Sequence, residues 1–129
     1  MKHSTEREAA ELVMLEQAHR WHQEWKVKLL AAVNTKEPID IDTISRDDCC
    51  DLGKWLYSEG QQYNGHKPAF QDLILHHREF HMLTGAVAEI VNARQYELAK
   101  AYLSNDAQLA HSSHEVDGAI QRLEATFSC

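Results

Sequence analysis

The sequence predicts an all-α protein, an antiparallel four-helix bundle with one extra short helix that carries a cysteine motif. Three observations support this prediction. Apolar residues recur at spacings of three and four over long stretches, as in helices that bury one face. The 129 residues include only five glycines and two prolines. The breaks in the apolar pattern are short, and short connections between long helices favour antiparallel neighbours in a bundle.

The first predicted helix covers residues 4–34, a stretch without proline or glycine. Leu15, His22 and Leu29 belong to its apolar stripe. A histidine on such a stripe is compatible with an ordinary core residue as well as with a metal ligand. Further apolar residues widen the apolar surface of this helix, and we expect an isologous homodimer contact to cover them; they are Leu12, Met14, Trp21 and Leu30.

The middle of the chain predicts a loop followed by the short helix. Pro38 interrupts the helical pattern, and the alternation that follows is too brief for a strand, so residues 35–46 are expected to form a loop. Ser45 is the expected N-cap of a helix that begins near Asp47. This helix carries Cys50 and is expected to end around Gly60.

Two long helices complete the predicted bundle. One covers residues 68–93 and has Pro68 in its first turn, where the missing N–H costs nothing. The other covers residues 96–127, with apolar residues repeating at about every seventh position. The inward stripe of the first is expected to contain Phe70, Ile74, His77, His81, Thr84, Ala88 and Val91. No repeat, linker or low-complexity segment is found, so residues 1–129 are expected to form one domain with a core over 12–127.

Charge and composition exclude several classes of protein. The formal net charge is −7, with 13 basic and 20 acidic residues and no basic cluster, which argues against nucleic acid as a partner. No apolar run approaches the roughly 20 residues of a membrane span, and the first residues do not resemble a signal peptide. We therefore expect a cytoplasmic protein without a membrane partner. Three cysteines, two of them adjacent, indicate reduced thiols instead of a disulfide scaffold.

The feature with the clearest chemistry is a pair of histidines, His77 and His81, four residues apart in a predicted helix. Residues at this spacing lie on one face, so two imidazoles can bind one metal ion if other segments supply the remaining ligands. Other segments offer His19, His22, Cys49, Cys50, His111 and His114. One thiolate with three imidazoles suits zinc. The set that could converge in the bundle is His22, Cys50, His77 and His81, with Cys49 as an alternative to Cys50.

Two other metal chemistries use histidines at similar spacings. A zinc hydrolase with two histidines four apart needs a glutamate directly after the first, and Arg78 occupies that position. No nucleophile with a base is recognisable either, so we expect no enzyme activity. His111 and Glu115 have the spacing that a hemerythrin-like di-iron protein uses. An oxygen-binding di-iron bundle is therefore the alternative function.

Three separated motifs resemble the signature of the chemoreceptor zinc-binding (CZB) domain family. They are His22-x-x-Trp25, Cys50-x-x-Gly53-x-Trp55-Leu56 and His77-x-x-Phe80-His81. The resemblance extends over roughly residues 12–127. It implies an α-helical domain, often a homodimer, with Zn²⁺ bound by His22, Cys50, His77 and His81.

The resemblance also implies a function. Members of the family act as sensors that control a signalling partner, a chemoreceptor or a diguanylate cyclase, according to zinc occupancy or cysteine oxidation. This sequence contains no such output domain. We therefore expect its output to pass through a partner protein, unless the sequence is a fragment of a longer chain.

Overall fold

The computed structural model describes residues 6–48, 50–104 and 107–127, and these residues form helices and no strand. The helices are α1 (Glu6–Thr35), α2 (Ile41–Ser45), α3 (Asp51–Leu56), α4 (Glu59–Asn64), α5 (Pro68–Asn92), α6 (Tyr96–Tyr102) and α7 (Gln108–Glu124). The predicted all-α helical bundle is confirmed. Its central element is α5, which packs against α1, α2, α6 and α7.

The predicted inward faces of α1 and α5 are the buried faces. Leu15 and Leu29 of α1 are buried, and so is His22 between them. All seven residues expected on the inward stripe of α5 are buried as well. Along α5, this stripe places both histidines of the i, i+4 pair in the interior, because residues four apart lie on one face of a helix.

The segment expected to be a loop contains the short helix α2. Asp40 caps it by accepting a hydrogen bond from the backbone N–H of Thr43, and Ile44 is buried against the core. Gly85 allows α2 to lie directly on α5, because a Cβ at this position would be 2.5 Å from the Cβ of Ser45. The prediction of a loop was therefore wrong here, since packing stabilises five residues that are too few to form a helix alone.

The predicted cysteine helix differs in its boundaries. Its N-cap is Cys50, not Ser45, which is the last residue of α2. It ends at Leu56, and a separate helix, α4, begins at Glu59. A buried hydrogen bond of 3.1 Å from Asn64 to Glu11 holds α4 against α1.

The predicted helix over residues 96–127 is divided into α6 and α7. Its seven-residue apolar repeat is nevertheless buried at Ala99, Leu109, Val116 and Leu123. The repeat predicted the buried positions correctly but did not show the interruption, because both helices pack on the same core.

The surface of α1 differs from the expectation for a dimer contact. The four apolar residues expected to be covered by a partner are partly buried against the chain's own core. The exposed large apolar residues of α1 are Val13 and Val27, with 58% and 65% of their surface accessible. Among the described residues, no helix has both the length and the apolar character needed to cross a membrane.

Candidate metal centre

Four buried or half-buried side chains from three parts of the fold converge beside α5. They are His22 from α1, Cys50 from the start of α3, and His77 and His81 from α5. One ligand atom from each lies within 4.8 Å of all the others. These are the four residues selected from the sequence, and the structure brings them together. Their role as ligands remains a prediction at this stage.

The distances within the cluster suit a tetrahedral metal ion. The Cys50 Sγ lies 3.2 Å from the Nε2 of His77 and 3.4 Å from the Nε2 of His81. The two Nε2 atoms are 3.1 Å apart. Ordinary zinc bond lengths in a tetrahedron require separations of about 3.6 Å between sulfur and nitrogen and about 3.3 Å between nitrogens. Cys50, His77 and His81 can therefore accommodate zinc with shifts of a few tenths of an ångström, and His22 lies within 4.8 Å of all three.

A backbone carbonyl orients the ring of His81. Its Nδ1 lies 2.8 Å from the carbonyl oxygen of Ile44, the buried residue of α2. A nitrogen that donates to a carbonyl must carry the proton, so the Nε2 that faces the cluster is unprotonated in the neutral ring. The Thr84 hydroxyl donates to the same carbonyl at 3.3 Å. The helix α2, which the sequence analysis missed, thus determines which nitrogen of His81 is available to a metal.

The position of Cys50 follows from its role as the N-cap of α3. Its sulfur accepts a hydrogen bond from the backbone N–H of Gly53 at 3.3 Å. Gly53 must be small, because a Cβ would lie 1.8 Å from the carbonyl oxygen of Asp47. Burial raises the pKa of the Cys50 thiol, and the Gly53 N–H opposes this change. A bound cation would favour the thiolate, which is the form that ligates zinc.

The histidine rings are held in the neutral form. Burial lowers the pKa of His22 to about 3 and that of His77 to about 2, and it also lowers the pKa of His81. The ring of His22 packs against those of His77 and His81, with centroids 5.1 and 5.6 Å away. Neutral imidazole is the metal-binding form, so the fold maintains three rings ready for a cation.

A polar network lies outside the cluster and connects both ends of α3 to α5. The Tyr57 hydroxyl donates a hydrogen bond to the carboxylate of Asp47. Arg78 donates to the Tyr57 oxygen at 3.4 Å and lies 3.7 Å from Asp47. Because the three residues are distant in sequence, no local pattern could have identified them. Sequence reasoning considered Arg78 only as a residue that replaces the glutamate of a hydrolase.

Three histidines outside the cluster have other partners. The Nδ1 of His19 is 2.6 Å from a carboxylate oxygen of Asp117. His76 is 3.4 Å from Asp72, and His111 is 3.3 Å from Glu115 with three quarters of its side chain exposed. Cys49 lies outside the described residues.

The cluster contains no carboxylate, and within the described part of the chain no second group of this kind is found. A di-iron centre of the hemerythrin type needs several inward carboxylates. The four converging side chains therefore favour zinc over that alternative.

Comparison with known proteins gives one family match. The model of one protein family, described as the chemoreceptor zinc-binding domain (CZB), matches residues 22–88. The matched stretch is just over half of the chain, and it begins at His22 and includes Cys50, His77 and His81. No curated protein and no solved structure gives a significant match.

Proposed function

This chain belongs to the family of chemoreceptor zinc-binding domains, and from that premise we propose that it is a sensory protein whose zinc is held by His22, Cys50, His77 and His81. The observation that carries the proposal is the convergence of one sulfur and three imidazole nitrogens within 4.8 Å. With four protein ligands the site is closed, as in structural and regulatory zinc sites. A closed site offers no position for substrate, which supports a role other than catalysis.

The mechanism follows from where the ligands originate. Cys50 belongs to the turn before α3, whereas the histidines belong to α1 and α5. Zinc supplies a cross-link among these segments when it is bound. The free energy of zinc binding therefore helps to fold α3 and the turn before it, which carries Cys50. How well ordered this part of the chain is then depends on the concentration of free zinc.

The output of the sensor is a signalling partner, and we propose a chemoreceptor-type protein or a diguanylate cyclase in that role. The same residues 1–129 are proposed to act as one domain and to form a homodimer. Val13 and Val27 support a dimer contact on α1, because both are exposed and lie four turns apart on the helix. Sedimentation at micromolar concentration tests this part, and a purely monomeric species would contradict it.

Elemental analysis of protein purified without added metal tests the site. We expect about one zinc per chain, consistent with one four-ligand centre. The Cys50→Ala and His22→Ala variants should lose most of this zinc, because each leaves three ligands. The matched control is His111→Ala, which removes an exposed histidine and should retain zinc. Two irons per chain would instead support the hemerythrin-like alternative.

A melting experiment separates zinc binding from fold defects. Zinc at 100 times its dissociation constant should stabilise the wild-type chain by about 2.7 kcal/mol, which corresponds to roughly 10 °C. Cys50→Ala should show less than half of that increase at the same zinc concentration. Identical melting of the wild-type chain with zinc and with a strong chelator would refute the proposed function.

A further inference from the structure

Two pairs of metal-ligating side chains meet across the contact between α5 and α7, outside the zinc cluster. Asp72 and His76 are four residues apart on α5, and His111 and Glu115 are four residues apart on α7. Each pair occupies one face of its helix, because residues at this spacing lie one above the other. The zinc cluster uses none of the four residues.

The distances within this group resemble those between ligands of one metal ion. The Nε2 of His76 lies 3.4 Å from the Oδ1 of Asp72 and 3.8 Å from the Oε2 of Glu115. The Nε2 of His111 lies 3.3 Å from the Oε1 of the same glutamate. A hydrogen bond from nitrogen to oxygen is usually about 2.9–3.0 Å long, whereas two zinc ligands in a tetrahedron are about 3.4 Å apart. The three contacts are therefore closer to the spacing of metal ligands.

Charge and accessibility favour a cation at this place. Arg122 donates a hydrogen bond of 2.8 Å to the Oδ2 of Asp72, which leaves the Oδ1 facing His76. The carboxylates of Asp72 and Glu115 together outweigh the single charge of Arg122. Solvent reaches all four ligating side chains, including 24% of the surface of His76, which is the least exposed of them. An ion can therefore enter directly from solvent.

We propose that Asp72, His76, His111 and Glu115 form a second, open site for a divalent transition-metal ion that bridges α5 and α7. Imidazole combined with carboxylate suits Zn²⁺, Ni²⁺ and Cu²⁺, whereas Mg²⁺ prefers oxygen ligands alone. The four side chains are gathered less tightly than those of the zinc cluster, whose ligand atoms lie within 4.8 Å of one another. The exposed side chain of His111 turns towards His76 as the ion binds.

The open site and the closed cluster differ in how they hold an ion. Water completes the coordination of a metal at an exposed site, so this ion exchanges readily with solvent. Protein purified without added metal should therefore retain only the zinc of the cluster. The second site fills when the concentration of free metal rises, and its ion then links α7 to α5. Because the two sites share no ligand, the chain should respond to zinc in two concentration ranges.

Isothermal titration of Zn²⁺ into the zinc-loaded full chain tests the proposal. We expect one further ion per chain, bound more weakly than the first, and no binding of Mg²⁺ at the same concentration. Co²⁺ added to the metal-free chain gives an independent measurement, since a ligand-to-metal charge-transfer band in the near ultraviolet reports cobalt bound by the Cys50 thiolate. The second equivalent of Co²⁺ should leave this band unchanged.

Single substitutions locate the second ion. His111→Ala and Glu115→Gln should each lose the second binding event and keep the first. The matched control is His114→Ala, which removes another exposed histidine of α7, one that lines a cavity beside α1. This variant should keep both events.

Two results would overturn the second site. One is a zinc-loaded chain that binds no further ion, and the other is a second event that persists in both His111→Ala and Glu115→Gln. Failure of the proposed function has a different signature, because cobalt would then give no thiolate band. In that case a single weak binding event that is lost in His111→Ala would still establish the site between α5 and α7.

Discussion

Single residues around the cluster control both protonation and reactivity. The Cys50 thiol is half-buried and accepts a backbone hydrogen bond from Gly53. The three rings beside it are neutral because burial lowers their pKa values. In this buried position a bound metal ion is what stabilises the Cys50 thiolate. The protonation and reactivity of Cys50 therefore depend on whether the site is occupied.

Mild oxidation should release zinc through Cys50. Hypochlorous acid or hydrogen peroxide transfers one oxygen to the thiolate, and the sulfenic acid that forms is a poorer zinc ligand. We expect zinc to appear in solution at the same rate as the Cys50 modification detected by mass spectrometry. If Cys129 were modified while Cys50 remained reduced, the redox part of the sensor would be wrong.

At the scale of helices, the contact between α2 and α5 determines the orientation of His81. The two helices lie close together at Gly85, where an added Cβ would be 2.5 Å from the Cβ of Ser45. One helical turn earlier on α5, His81 bonds the carbonyl of Ile44. Displacement of α2 should therefore change both stability and zinc affinity.

Gly85→Ala tests this coupling. Because the new methyl group meets Ser45, we expect a loss of about 1–3 kcal/mol in the free energy of unfolding, as for other overpacked sites. Zinc affinity should fall as well. The control is Gly118→Ala in the middle of α7, where the nearest atom is the mobile end of Arg122 at 3.2 Å. This change should be neutral or stabilising by up to about 1 kcal/mol. If both substitutions changed zinc affinity equally, the contact between α2 and α5 would not be what orients His81.

The polar network of Asp47, Tyr57 and Arg78 should keep the turn that carries Cys50 against α5, and so slow its opening. Asp47→Asn weakens a charged hydrogen bond from Tyr57 and the ion pair with Arg78. If the closed position of the turn is destabilised by about 1 kcal/mol, zinc should transfer to a chelator roughly fivefold faster than from the wild-type chain.

Asp48→Asn is the matched control for that experiment, since its pairing with Arg46 is exposed and lies in the same loop. An exposed pair of this kind contributes little to stability. Zinc transfer from this variant should therefore proceed at the wild-type rate. Equal acceleration by both substitutions would show that the Asp47 network has no special role.

At the scale of the whole molecule, the buried histidines make the metal-free fold sensitive to acid. Unfolded histidines bind protons below about pH 6.5, whereas His22 in the fold has a pKa of about 3 and His77 of about 2. The unfolded state therefore binds more protons in this range, so stability decreases as the pH falls from about 6.5 towards 3.

Thermal melting of the metal-free chain from pH 7 to pH 4 measures this effect. At pH 5, His22 and His77 should each lower the free energy of unfolding by on the order of 2 kcal/mol relative to neutral pH. Burial shifts Glu11 in the opposite direction by raising its pKa, but its contribution increases only as the pH approaches the lower range of carboxyl groups. A constant melting temperature over this range would contradict the burial of neutral imidazoles.

The sequence by itself determined the helical class, the buried faces of α1 and α5, and the four candidate ligands. These features depend on short-range spacing. His77 and His81 share a face because a helix has 3.6 residues per turn, and Leu15, His22 and Leu29 repeat on α1 for the same reason. The other two candidate ligands, His22 and Cys50, were proposed to converge with this pair in the bundle, and the motifs that contain them resemble those of a zinc-binding family.

Only the tertiary structure decided how these parts are held together. Helix α2 exists because Ile44 is buried and Gly85 allows close packing, and these residues are 41 positions apart. The His81 tautomer and the Asp47 network likewise depend on contacts between segments distant in sequence. Such contacts leave no local periodicity, because the energy that selects them comes from burial and shape in the assembled core.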